Sequence, residues 1–209
     1  MIQKICLKLC DHFIETGIIA PENKELYCYG MHQGTVILFN LLTALLIGVM
    51  LDSVPEVILY FAAYIPLRIY AGGYHAQTPR RCYFFSVILI TAILLAIRFF
   101  PISQRICCFG MVTAFILIFI LAPIEDKNKP FTEKEQIFFK KQTIRLLFTE
   151  TAIFTTALYL KYTSMTTCIF MAFATVTVML ILGRIKNQAI EKNILKKNHR
   201  YIKIKAESI

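Results

Sequence analysis

The sequence predicts an all-α integral membrane protein, and three observations carry that prediction. Of its 209 residues, 57% are hydrophobic and only 17% charged, where soluble domains carry about 25% charged residues. Mean hydropathy is +0.60. Four stretches, 26–51, 82–97, 106–124 and 162–183, hold no Asp, Glu, Lys or Arg, and about 20 helical residues cross a bilayer core. The basic residues fall where membrane topology puts them, as shown below. An ordinary soluble domain, a disordered chain and a disulfide-dense secreted module are all excluded by these values. The expected architecture is about six transmembrane or re-entrant helices behind an N-terminal amphipathic interfacial helix.

Residues 1–19 form the first element. Ile2, Ile5, Cys6, Leu9 and Phe13 recur at steps of three and four, with Gln3, Lys4, Lys8, Asp11 and Glu15 between them. This is an amphipathic helix, placed either in the membrane interface or against the protein's own spans. Asp11 and Glu15 interrupt any signal-peptide core, so no cleavable signal is expected. Spans follow near 34–51, 54–70, 83–100, 106–124, 144–160 and 164–183. Two are weaker: 54–70 contains Glu56, Pro66 and Arg68, and 144–160 contains Glu150. Carboxylates at membrane depth are functional candidates; Glu56 is near enough to a span end to snorkel, and Glu150 lies deeper. The loop 125–143 is the largest polar insertion, and the tail 184–209 is rich in Lys with interspersed Ile. The whole chain, 1–209, reads as one polytopic domain: an amphipathic region 1–33, membrane helices 34–183 and a basic cytoplasmic tail 184–209.

Charge decides between four and six spans. With six, and the N-terminus inside, 20 of the 23 Lys and Arg residues are cytoplasmic. With four, the split becomes 13 against 10. Positive-inside bias favours six spans, or four plus two re-entrant segments, and both place 71–82 on the cytoplasmic side. The formal charge of +10 is thereby accounted for by flanks facing an anionic leaflet. No folded soluble module exists to present a nucleic-acid-binding patch.

The seven cysteines include no CxxC, and no Cys/His cluster has zinc spacing, so neither a metal site nor a cofactor is expected. Cys107, Cys108 and Cys168 lie in apolar runs and read as small core residues. Cys6 and Cys10, one helical turn apart, read as packing. Cys82 differs. It closes the segment RIYAGGYHAQTPRRC, residues 68–82. There Gly72 and Gly73 break the helix and permit close backbone approach, and Pro79 opposes clean continuation. On a straight helix His75 and Cys82 would be roughly 10 Å apart along the axis, too far to pair; a folded-back loop closes that gap. An ordinary thiol is only a few per cent thiolate at neutral pH. An adjacent imidazole can take its proton, and Arg68, Arg80 and Arg81 would favour the anion. Spacing alone leaves a catalytic dyad and an incidental pair both open.

With Arg68, Gly73, His75 and Cys82 in this segment, the chain resembles the accessory gene regulator B (AgrB) family. The length, the multi-span layout and the later segment APIEDKNKP (122–130) resemble it as well. The resemblance is specific in 68–82 and architectural elsewhere. It implies a thiol protease, a hydrolase of the bacterial cell membrane that serves quorum sensing, with its active site on the cytoplasmic side. Such an enzyme removes the C-terminal tail of an AgrD-like autoinducer propeptide through a thioester on the enzyme, and promotes closure of the remainder to a thiolactone or lactone. Cys82 would be nucleophile and His75 its base, with Arg68, Gly72 and Gly73 in support. N–H groups near Gly72–Gly73 would serve an oxyanion, or else form only a turn. Gln77 is the nearest candidate for a third, orienting group.

The resemblance further implies a propeptide with an amphipathic leader and an acidic tail as partner, and a homodimer. Lys127 and Lys129, or Lys140 and Lys141, would hold the tail; each also serves as a topology determinant. The competing reading is a membrane transporter or exporter of a small peptide without covalent catalysis, for which the spans and Glu150 speak.

Overall fold

The computed structural model describes residues 2–74, 78–100, 102–125 and 131–207. The described chain is helical, with seven α-helices: α1 (Ile2–Glu15), α2 (Lys24–Met50), α3 (Val54–Ala71), α4 (Pro79–Phe99), α5 (Gln104–Leu121), α6 (Glu133–Tyr159) and α7 (Thr163–Glu207). Four contain stretches long and apolar enough to cross a bilayer: Val54–Ala71, Arg81–Phe99, Gln104–Leu121 and Thr163–Glu191. A shorter apolar stretch, Gly34–Met50, lies in α2. The sixth expected segment, 144–160, is the C-terminal part of α6.

Two compact units divide the chain, Met1–Val54 with Ala76–Ala92, and Pro55–His75 with Ile93–Ile209. In the first, α1 packs on α2, while Leu7 and Leu9 on α1 stay exposed. Cys6 and Cys10 are buried there, with the Cys10 Sγ 3.9 Å from the Met31 Sδ. Across the same contact Lys24 pairs with Asp11. The chain leaves α1 through Gly17 at φ +73, a left-handed conformation that glycine adopts without Cβ conflict.

In the second unit α7 is central. Its apolar stretch is 61% buried, against 28% for α3 and 22% for α5. Cys168, Ala172, Phe173, Val176 and Leu180 are fully enclosed, as are Leu67 of α3, Ile118 of α5 and Leu147 of α6. Buried threonines on α7 satisfy themselves locally: the Thr175 and Thr177 hydroxyls donate to the Met171 and Phe173 carbonyls at 2.7 and 2.9 Å. Glu56 is held at a helix end by the Ser164 hydroxyl, 2.9 Å away. Glu150 is buried on α6, and its Oε2 has no hydrogen-bond partner among the described residues.

Two expectations need correction. The polar loop expected over 125–143 ends eleven residues earlier, because α6 begins at Glu133. The cause is local: Thr132 accepts from the Glu135 N–H at 3.3 Å, and the Glu135 carboxylate accepts from the Thr132 N–H at 2.9 Å. This reciprocal capping box starts a helix wherever it satisfies the first orphan donors. The basic tail is likewise no separate element, since α7 continues without a break to Glu207.

Candidate functional site

The segment 68–82 runs from the last turn of α3 to the first turn of α4. Its first half belongs to the second unit. Gly72 and Gly73 take φ of +71 and +116, and each approaches a neighbouring backbone where no side chain fits. Ile124, just beyond α5, lies against Gly72 as an isolated parallel bridge. The Gly73 N–H donates to the Ile124 carbonyl at 3.1 Å, and the Ile124 N–H donates to the Ala71 carbonyl at 3.0 Å. One residue on, the Tyr74 N–H donates to the Met179 carbonyl of α7 at 2.8 Å. A Cβ on Gly73 would stand 2.9 Å from that same carbonyl oxygen.

Of the two readings left open for these glycines, an oxyanion site or a turn, the bonds favour the turn. The Gly72 N–H is donated to the Arg68 carbonyl at 3.2 Å, so all three N–H groups from Gly72 to Tyr74 are already engaged. The glycines serve close backbone approach instead. Arg68 is engaged too: its guanidinium donates to the Gly72 and Tyr74 carbonyls. It acts on the loop's shape, tying the turn back to the helix it leaves. The Tyr74 ring in turn carries the Lys186 ammonium 5.7 Å above its centre. His75 and Gln77 lie outside the described residues.

The second half of the segment belongs to the first unit. Thr78 precedes α4, and its hydroxyl accepts from the Arg81 N–H at 3.4 Å. Pro79 occupies the first helical position, where its missing N–H costs nothing. Thus the proline that opposes continuation of α3 starts α4. Cys82 completes the first turn, its N–H donated to the Thr78 carbonyl at 3.0 Å, and it is partly exposed. Beside it the Tyr83 hydroxyl meets that of Thr43 on α2 at 2.8 Å, which pins the start of α4 to α2. Of the other cysteines, Cys6, Cys10, Cys107 and Cys168 are buried, while Cys28 and Cys108 are partly exposed.

The four candidate lysines separate. Lys127 and Lys129 lie outside the described residues. Lys140 has partners within the protein. Its ammonium donates to the Ala122 carbonyl at 2.7 Å and to that of Phe119, and it lies 5.1 Å from the centre of the Phe119 ring. It caps the C-terminal end of α5, where cations complement the orphan carbonyls. Lys141 is exposed. Sequence reasoning missed this role of Lys140, and missed Met179 and Gly183 of α7; the one available signal was an isolated glycine inside an apolar helix. Among the described residues, no group of three or more His, Cys, Asp or Glu side chains gathers for a metal.

A helical, multi-pass membrane protein with a glycine-built loop leading to a partly exposed thiol at a helix start is the class that fold and segment define. The chain belongs to the accessory gene regulator B (AgrB) family, whose profile matches residues 2–181 and so includes all of 68–82. Two relatives from Clostridium perfringens, an AgrB-like protein of strain SM101 / Type A and AgrB-like protein 2 of strain 13 / Type A, are each 26% identical over 134 residues. That stretch is 60% of this chain and 63% of either relative, so the match spans less than two thirds of their length. No solved structure matches the chain.

Proposed function

We propose that this protein is a membrane cysteine endopeptidase that removes the C-terminal tail of an AgrD-like propeptide and promotes cyclisation of the remainder. Family membership supports the class of activity. The observation that carries the residue assignment is the placement of Cys82. It is partly exposed on the first turn of α4, in the segment that also contains His75. The Cys82 Sγ attacks the carbonyl carbon at the cleavage point; a C–S bond forms and the peptide C–N bond breaks. His75 takes the thiol proton and delivers it to the leaving amine. A thiol or hydroxyl of the propeptide then attacks the thioester, loses its proton to His75, closes the ring and releases Cys82, which recovers a proton. The exchange conserves the acyl activation, so closure requires no ATP. A site at the membrane boundary excludes the water that would hydrolyse the thioester.

In this reading, Arg68, Gly72 and Gly73 hold the loop before His75. Lys127, Lys129 and Lys141 attract the acidic tail, each contributing about 0–1 kcal/mol at an exposed position. The site faces the cytoplasm, in keeping with the positive-inside count.

The test is propeptide processing by the full-length protein in membranes. Cys82→Ala and His75→Ala each abolish tail release while still inserting, and Cys82→Ser fails or nearly so. Replacing the other six cysteines retains processing. A propeptide lacking its own cyclising residue is trapped on Cys82 as a hydroxylamine-sensitive thioester. Tail release by Cys82→Ala would overturn the peptidase reading in favour of a peptide exporter without covalent catalysis, in which the buried Glu150 becomes the group to examine.

A further inference from the structure

Resting on the peptidase reading above, we propose that Lys140 and Gly183 are positioning residues: together they lock a backbone clasp that fixes the chain immediately before His75. The clasp has two jaws. One is the extended stretch after α5, where Ile124 exchanges hydrogen bonds with Ala71 and Gly73. The other is α7, where the Met179 carbonyl accepts the Tyr74 N–H at 2.8 Å. Between them they engage the backbone of Ala71, Gly73 and Tyr74, the last three described positions before His75 apart from Gly72, which Arg68 holds.

Each jaw has a lock. In a regular α-helix the Met179 carbonyl faces the N–H of residue 183, and a side chain at 183 leans back over that carbonyl. Gly183 leaves the approach open. A Cβ there would stand 2.8 Å from both the Gly73 carbonyl carbon and the Tyr74 nitrogen. These are backbone atoms, so relief requires moving the loop itself. The other jaw is set by where α5 ends and the chain turns toward Ile124. Lys140 decides this from α6 by binding the carbonyls of Phe119 and of Ala122, the latter two residues before Ile124. It therefore staples α6 to the end of α5 through one ammonium group.

The readout is iodoacetamide alkylation of Cys82 against pH, in full-length protein in membranes with the other six cysteines replaced. His75→Ala supplies the reference for a thiol without its base. Lys140→Met and Gly183→Ala are expected to slow alkylation at neutral pH about tenfold, toward the His75→Ala profile, because an unassisted thiol is only a few per cent thiolate there. Lys140→Arg, which keeps a donor for the two carbonyls, restores the wild-type profile. Gly110→Ala is the control for crowding: it presses on the Phe170 side chain between α5 and α7, away from the loop, and leaves alkylation unchanged.

With a synthetic AgrD-type propeptide, Lys140→Met lowers kcat and leaves KM alone. A raised KM at unchanged kcat would make Lys140 a substrate contact and overturn the clasp. Wild-type alkylation in Lys140→Met and Gly183→Ala, with His75→Ala slowed, also overturns it and leaves the peptidase reading standing. Wild-type alkylation and tail release in His75→Ala overturn both. Should Gly183→Ala not reach the membrane, the Lys140→Met and Lys140→Arg pair decides alone.

Discussion

Replacing Gly72 with alanine tests the packing of the loop against α5, and Gly17 supplies its internal comparison. Both glycines have nearly the same left-handed backbone, φ +71 and +73. Alanine at either position bears the cost of a side chain in that region, about 1–2 kcal/mol. They differ in surroundings. A Cβ on Gly17 meets nothing within 4 Å, whereas one on Gly72 runs into the carbonyl of Ile124. Backbone cannot rotate away as a side chain does, so overpacking adds about 1–3 kcal/mol at Gly72. Gly17→Ala is therefore expected to cost about 1–2 kcal/mol and Gly72→Ala about 2–5 kcal/mol. The assay is SDS titration of purified protein in detergent, followed by far-UV circular dichroism, since the chain has no tryptophan. Because the two glycines lie in different units, amide exchange localises each loss. Gly72→Ala should deprotect Gly73 and Ile124, and Gly17→Ala should deprotect Ile18, whose N–H donates to the Phe13 carbonyl. A cost at Gly72 no larger than at Gly17, with Ile124 still protected, would refute the close-approach argument.

Three further outcomes are expected. A cysteine introduced at Gln104 should be labelled by an impermeant thiol reagent from outside intact cells, and one at Asn128 should not; labelling at Asn128 rejects the topology in which 20 of 23 basic residues are cytoplasmic. The hydrogen bond to Asp11 raises the Lys24 ammonium above its ordinary 10.5, so the pair stabilises docking of α1 below that pH and is lost as pH rises through the folded value. Thermal midpoints of wild type should accordingly fall more steeply above that pH than those of Lys24→Gln, and superimposable curves would reject the pairing. The Cys28 hydrogen bond and burial push the Cys10 thiol up to about 11, so at a pH of about 8.5 iodoacetamide should label Cys82 well before Cys10. Equal rates in the folded protein would show α1 undocked from α2.

Much of the helical layout was legible because lipid and packing impose period and length on a chain. The charge-free runs became α2, α4, α5 and the apolar part of α7, and the 3–4 step of residues 2–13 became α1. The start of α6 was legible in principle, as Thr132 and Glu135 stand at capping-box spacing. It was obscured by a charged, proline-containing stretch that reads as loop. Continuation of α7 past Gly183 was not legible, because a basic, Ile-studded tail satisfies a surface strand of chain and a helix equally well.

By itself, the sequence determined that this is a multi-pass helical protein of the AgrB family, and it singled out 68–82 as the candidate segment for the chemistry. Local composition suffices for that: apolar length answers to bilayer thickness, and the residues of the segment are contiguous. The tertiary structure alone decided what the residues around that segment do. Gly72 and Gly73 are required by Ile124 and Met179, which lie about 50 and 110 positions away. Arg68 is spent on the loop's own carbonyls. Lys140, which by charge alone looks like a docking point for an acidic tail, caps α5. The physical reason is common to all of them. A backbone carbonyl or N–H is present at every residue, so the sequence carries no mark of which will be left over at a helix end to receive a cation, or which will meet a glycine from another helix. Only the packing of α5, α6 and α7 decides it.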